Sequence, residues 1–163
     1  AGPLRAPLAP QLARTDVLLV IGEGGAAAEL ERTLAARGAP VFHARVTPDD
    51  QTVVALRGQR VLAFAGIGDP GRFFDTLRAH GIEVAAERRF PDHHRFTNDE
   101  LWALRAEATR GELVLVTTEK DFARLSDSEL APLKDGITPL PVTLRFDDEA
   151  RLRELIAARL RGA

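Results

Sequence analysis

Arg60–Ala65 is an unbroken β-prone run that passes through Gly66-Ile67-Gly68 into Asp69-Pro70 and a helical pattern over Pro70–His80, ended by Gly81. Ile82–Glu87 is then β-prone again. Strands joined by a helical crossover run parallel, because the helix carries the chain back to the starting edge of the sheet. Asp69 is an N-cap, and Pro70 suits the first turn, where its missing N–H has no intrahelical partner to lose. Phe73, Phe74 and Leu77 fall on one helix face and give the crossover an apolar stripe to lay on the sheet.

The rest of the chain repeats this alternation. Asp16–Gly22 reads as a strand buried on both faces, Ala26–Arg37 as a helix stopped at Gly38, and Val41–Val46 as a strand. Thr52–Leu56, rich in β-branched residues, reads as another strand. Thr97-Asn98-Asp99-Glu100 is a capping box opening a helix through Ala108 with Leu101, Leu104 and Ala108 inward. Leu113–Thr117 is a strand, Glu119–Leu125 a helix, Leu140–Phe146 an edge strand, and Leu152, Leu155, Ile156 and Leu160 mark a closing amphipathic helix. The expected fold is α/β, a three-layer α/β/α sandwich on a mainly parallel sheet. Three prolines in the first ten residues predict extended chain there, with a Pro-rich linker over 1–15 and the α/β/α lobe over 16–163. The absence of Met and the opening Ala1-Gly2-Pro3 read as a fragment of a longer protein.

Composition narrows the partners. A net charge of −2 supplies no field to draw nucleic acid, so any anion site must be local. With no cysteine and four histidines, disulfides and thiolate metal sites are excluded and no metal site is expected in these residues. No apolar run approaches the roughly 18 residues that span a bilayer.

Chemistry-bearing residues concentrate in two loops that an open α/β sheet would place at the carboxyl ends of strands, where ligands bind. The first is Phe90-Pro91-Asp92-His93-His94-Arg95-Phe96, flanked by Arg88 and Arg89. Asp92 with His93 can serve acid–base work or donate to phosphate, and the arginines suit an anionic ligand; a solvated loop with a charged face is the alternative. The second is Thr117-Thr118-Glu119-Lys120-Asp121. There a capped helix N-terminus explains Thr118, Glu119 and Asp121 but leaves Lys120, one of two lysines, unexplained. Gly66-Ile67-Gly68-Asp69-Pro70-Gly71 satisfies a dinucleotide fingerprint, although Asp69 sits where a pyrophosphate would; a tight turn, or backbone N–H groups of the loop touching an anion, are the other readings. No Gly-Lys-Ser/Thr ending of a phosphate-binding P-loop occurs in the 163 residues.

Four segments in series, Gly2-Pro3-Leu4-Arg5, Ala63-Phe64-Ala65-Gly66-Ile67-Gly68 with Pro70 and Phe73-Phe74, Phe90-Pro91-Asp92-His93-His94, and Thr117-Thr118-Glu119-Lys120-Asp121, closely resemble the C-terminal half of tetraacyldisaccharide 4'-kinase, the lipid A 4'-kinase. The resemblance implies the C-terminal lobe of a two-lobe P-loop kinase. That kinase uses ATP and Mg²⁺, bound mainly by an N-terminal lobe not in this sequence. It phosphorylates the 4'-hydroxyl of a tetraacyldisaccharide 1-phosphate at the cytoplasmic face of the bacterial inner membrane. What carries over from the resemblance is Arg5, from the segment leading out of the N-terminal lobe, and His93, from the Asp-His motif facing the cleft. Joined to the reading of the two loops, this makes His93 and Asp92 the expected catalytic residues. Arg5, His94, Arg95 and Lys120 are expected to contact substrate or phosphate, and Gly66, Gly68 and Glu119 to add loop contacts. Ala6 stands where many relatives have Glu, so a contact through that position is not expected here. A stand-alone Rossmann-like dinucleotide-binding module and a structural α/β docking domain are the alternative readings.

Overall fold

The computed structural model describes residues 7–22, 25–125 and 131–161. The chain divides into two compact units, one running up to Thr47 and resuming at Thr143, the other Pro48–Val142.

The first unit carries a three-stranded sheet in the order β1 (Leu18–Ile21), β2 (Val41–Pro48), β7 (Val142–Phe146), with β1 and β2 parallel. Its helices are α1 (Leu8–Ala13), α2 (Ala28–Ala35) and α7 (Glu149–Arg161). Two expectations are corrected here. β1 is not buried on both faces, since Leu19 is 39 % and Ile21 45 % exposed. Leu8–Ala13 is helical despite its prolines: Pro7 is the N-cap and Pro10 lies in the first turn, where the backbone N–H has no intrahelical partner to lose.

The second unit is built on an all-parallel sheet in the order β4 (Glu83–Arg89), β3 (Arg60–Ala65), β5 (Val114–Thr118), β6 (Ile137–Leu140). Alternation along β3 feeds two cores. Val61, Ala63 and Ala65 pack with Val53 and Leu56 of α3 (Asp50–Leu56) and with Phe73, Phe74 and Leu77 of α4 (Pro70–Ala79). Leu62 and Phe64 pack on the opposite face with Leu101, Leu104 and Ala108 of α5 (Asn98–Gly111) and with Leu125, just after α6 (Glu119–Arg124). This is the expected three-layer arrangement. Each fully buried Leu or Phe here contributes about 1.5–3 kcal/mol relative to leaving it in water.

Thr52–Leu56 belongs to a helix, not a strand. Asp49 caps it, accepting from the Thr52 N–H at 2.8 Å, a bond that with the Thr52 hydroxyl holds the carboxyl below its ordinary range. Burial of Val53 and Leu56 with Val54 65 % exposed is a helical spacing; a cap and two core contacts outweigh the β preference of Thr52-Val53-Val54. The expected strand Leu140–Phe146 is two strands broken at Pro141, whose carbonyl instead accepts from the Asp49 N–H at 2.8 Å. Each half lies at the edge of its own sheet. The helices starting at Pro70 and Asn98 begin at the caps expected from sequence, Asp69 and Thr97. Gly81, at φ +78°, turns the chain out of α4 as only glycine does readily.

Candidate functional site at the carboxyl edge of the parallel sheet

The strand order sends the chain from β3 over one face of the sheet to β4, and from β5 over the other face to β6, so the connections diverge between β3 and β5. A crevice at the carboxyl ends of two such strands is where open α/β sheets bind ligands. The loops after β3, β4 and β5 all end there.

The buried polar side chains among the described residues are Thr117 and Asp121, and both lie at this divergence. Thr117 Oγ1 donates to the Phe64 carbonyl at 2.8 Å. Asp121 has no exposed surface, and its carboxylate is filled from three directions. Oδ2 accepts from the Gly66 N–H at 3.0 Å and the Thr118 hydroxyl at 2.8 Å, while Oδ1 accepts from Arg124 Nη1 at 2.8 Å. Asp121 therefore ties the loop after β3 to the start of α6, beyond complementing a helix dipole. Thr118 is the N-cap expected from sequence, accepting the Asp121 N–H at 3.1 Å.

Gly66 is buried where the three loops converge. A Cβ built on it would lie 3.0 Å from His94 Cβ, 3.3 Å from the Pro91 carbonyl oxygen and 3.4 Å from Asp121 Oδ1. Gly68 is different: it is exposed, and its Cβ would meet only Asp92, at 3.4 Å. Gly66→Val should therefore lower the urea midpoint by the equivalent of about 1–3 kcal/mol, whereas Gly68→Ala stays within about 0.5 kcal/mol of the parent. Equal shifts in the two variants would show that the convergence at Gly66 is not tight. Asp69 Oδ1 already accepts the Arg72 N–H at 3.2 Å, so the first turn of α4 has its own anion. The glycines thus serve the turn and the close loop approach.

In the loop after β4, His93 adopts φ +59°, a left-handed conformation costly for a residue with a side chain. Its N–H bonds Asp92 Oδ1 at 2.9 Å and the Gly66 carbonyl at 3.1 Å, which hold it there. The ring is 70 % exposed, and its Nδ1 lies 3.1 Å from Arg124 Nη2. Asp92 Oδ2 is 3.8 Å from His93 Nε2, so Asp92 acts on His93 through the backbone more than through the ring.

His94 faces the other way. It stacks on Phe90 at 4.9 Å, meets Phe96 edge-on, and donates from Nε2 to Glu100 at 3.0 Å. Glu100 is also the reciprocal member of the Thr97 capping box. Partial burial works against its charge, but hydrogen bonds from His94 and Thr97 prevail and hold its carboxyl below its ordinary range. A carboxyl lowered on folding contributes stability that is present above its unfolded value and is lost as pH falls through the folded one. Glu100→Gln keeps a capping-box side chain and removes the charge. It should cost about 0.2–1 kcal/mol at neutral pH, the scale of a partly exposed pair, and flatten the loss of stability as pH falls through the acid range where the Glu100 carboxyl takes up its proton. A parallel acid limb in parent and variant would reject this.

The remaining candidates are dispersed. Arg95 and Lys120 are exposed and make no hydrogen bond or ion pair among the described residues. Glu119 accepts the Val142 N–H at 3.1 Å. Arg88 pairs with Glu107, and Arg89 pairs with Glu87 and lies over the Phe74 ring, so neither faces the site as a free cation. Arg5 lies outside the described residues, as does Ala6. No group of three or more His, Asp or Glu side chains among the described residues converges as a metal cage, so they do not fit a Mg²⁺ site. Arg124, which joins Asp121 to His93, had no mark in the sequence except its spacing of three from Asp121, an ordinary helical ion-pair spacing.

The profile of the family described as Tetraacyldisaccharide-1-P 4'-kinase matches residues 1–161. Among curated proteins, the Tetraacyldisaccharide 4'-kinase of Bradyrhizobium diazoefficiens is 59 % identical over 160 residues, covering 98 % of this chain and 47 % of the relative. The proteins of the same description from Nitrobacter winogradskyi and Nitrobacter hamburgensis are 57 % and 58 % identical, covering 96 % and 98 % of this chain and 47 % and 48 % of theirs. The chain thus spans about half the length of the curated relatives it matches. No solved structure matches.

Proposed function

The chain belongs to the tetraacyldisaccharide-1-P 4'-kinase family, and from that premise we propose that it is the C-terminal lobe of an ATP-dependent kinase of lipid A biosynthesis. That kinase transfers a phosphoryl group to the 4'-hydroxyl of a tetraacyldisaccharide 1-phosphate. The reading assigns residues 16–163 to this lobe and residues 1–15 to the segment leading into it. In this reading an N-terminal lobe carries the P-loop and the Mg²⁺ ligands; the 163 residues hold no P-loop ending, and the described residues hold no fitting carboxylate cluster. The work takes place at the cytoplasmic face of the inner membrane by peripheral contact; no helix among the described residues is long and apolar enough to cross a membrane.

One observation carries the reading: within a family-wide match, an exposed imidazole stands on strained backbone at the carboxyl edge of a parallel sheet. Phosphoryl transfer is chiefly positioning and charge stabilisation. His93 presents a donor to an anionic oxygen, Arg124 and Asp92 orient it, and Arg95 and Lys120 add exposed positive charge. The two loops close one wall of the site and help to exclude water. The test is transfer of labelled γ-phosphate from ATP to tetraacyldisaccharide 1-phosphate by the intact protein containing these residues. Labelled 4'-phosphate product is expected, and its absence rejects the reading.

A further inference from the structure

We propose that Asp121 and Arg124 are positioning residues that lock His93 as its Nε2–H tautomer, so that the ring meets an anionic ligand oxygen as a hydrogen-bond donor. The inference deepens the reading above and rests on it in one respect, that His93 faces the ligand.

The argument begins with what a guanidinium can do. It has only N–H donors and stays protonated in proteins, so any partner within bonding distance must be an acceptor. Arg124 Nη2 lies 3.1 Å from His93 Nδ1. Nδ1 must therefore offer its lone pair, and the proton of the neutral ring sits on Nε2.

The guanidinium itself cannot swing freely. Its Nη1 donates to the Gly66 carbonyl at 3.0 Å and to Asp121 Oδ1 at 2.8 Å. Asp121 is immobile in turn, because it is fully buried and its second oxygen takes the Gly66 N–H and the Thr118 hydroxyl. The backbone holds His93 from the other side through its bonds to Asp92 Oδ1 and the Gly66 carbonyl. Nε2 is left on a 70 % exposed ring with Asp92 Oδ2 at 3.8 Å, beyond a hydrogen bond. A donor aimed from two sides and left without an acceptor among the described residues is a preorganised contact for an oxyanion.

A purely stabilising role does not account for this. A buried ion pair is expensive to desolvate and is a weak source of stability. Stitching the loop after β3 to α6 is already done by the Gly66 N–H and Thr118 on Asp121. The second guanidinium nitrogen spent on a surface imidazole adds nothing to that stitch and does set the imidazole's proton.

The experiment labels histidine with ¹⁵N in the intact enzyme and records two-bond ¹⁵N–¹H spectra where the ring is neutral, with His93 assigned by its loss in His93→Gln. The parent should show the Nε2–H pattern. Arg124→Gln should show a mixture of tautomers and a kcat lower by about 10- to 100-fold, the usual effect of removing a partner that orients an imidazole, with KM for ATP little changed. Arg124→Lys, whose ammonium also only donates, should recover the pattern and most of the rate. An Nδ1–H pattern in the parent, or an unchanged Nε2–H pattern in Arg124→Gln, overturns the proposal. Should Arg124→Gln fail to fold, the parent and Arg124→Lys spectra still decide. A locked Nε2–H ring together with unchanged turnover in His93→Ala would instead reject the catalytic reading while leaving the lock in place.

Discussion

Given Mg-ATP and tetraacyldisaccharide 1-phosphate, the 163-residue chain by itself is expected to make no more product than a buffer blank. The transferred phosphoryl group carries charge over three oxygens, and kinases of the P-loop type neutralise it with a backbone cradle, its lysine and Mg²⁺. None of the 163 residues forms a Gly-Lys-Ser/Thr ending, and the described carboxylates and imidazoles do not converge on a metal site. A histidine donor on its own accounts for only a few kcal/mol of a barrier that enzymes lower by about 8–23 kcal/mol. Phosphorylated lipid formed at a rate above the blank by the purified chain would overturn the division of labour between two lobes.

In the intact enzyme, His93→Ala should lower kcat by about 10- to 1,000-fold, or roughly 1.4–4 kcal/mol of transition-state stabilisation. Its folded stability should change little, because the ring is 70 % exposed and, among the described residues, makes only the Arg124 contact and a long approach to Asp92. His94→Ala should do the reverse. Its ring is packed between Phe90 and Phe96 and bonded to Glu100, so the loss should be about 1–2 kcal/mol of stability with a much smaller change in kcat. Urea titration and steady-state kinetics on both variants separate the two effects. Small and equal changes in kcat would reduce the loop to scaffolding. Because His93 holds a left-handed backbone conformation that asparagine also tolerates, His93→Asn is the control that removes the imidazole with least strain.

Neighbouring residues of like chemistry thus have different surroundings, and no local residue pattern separated them; only the family resemblance set His93 apart from His94. His93 and His94 are adjacent imidazoles; which one faces outward depends on the turn at His93 and on the aromatic pair that captures His94. Arg88, Arg89 and Arg95 read as one basic cluster, but Glu107, Glu87 and Phe74 occupy the first two. Glu107 and Phe74 come from helices elsewhere in the chain, so no local pattern marks them, whereas Glu87 is a neighbour of Arg89 on the same strand. Asp121 read as an ordinary first-turn carboxylate because its burial depends on Gly66, 55 positions away.

Local signals determined a good deal unaided. Asp69-Pro70, the Thr97–Glu100 box and Thr118 mark helix starts because capping is an interaction among four consecutive residues. The β-prone run at Arg60–Ala65 marks a strand because it is bounded by Gly58 and by the Gly66–Pro70 turn. From these follow the alternation of strand and helix, the parallel sheet and the loops that hold the chemistry. Tertiary structure alone decided the rest. It made Thr52–Leu56 a helix, broke Leu140–Phe146 at Pro141 between two sheets, and brought Gly66, Asp121, Arg124 and His93 into one hydrogen-bonded chain. Such contacts join residues up to 58 positions apart. Their geometry exists only once the strands have paired, because pairing sets which loops meet at the edge of the sheet.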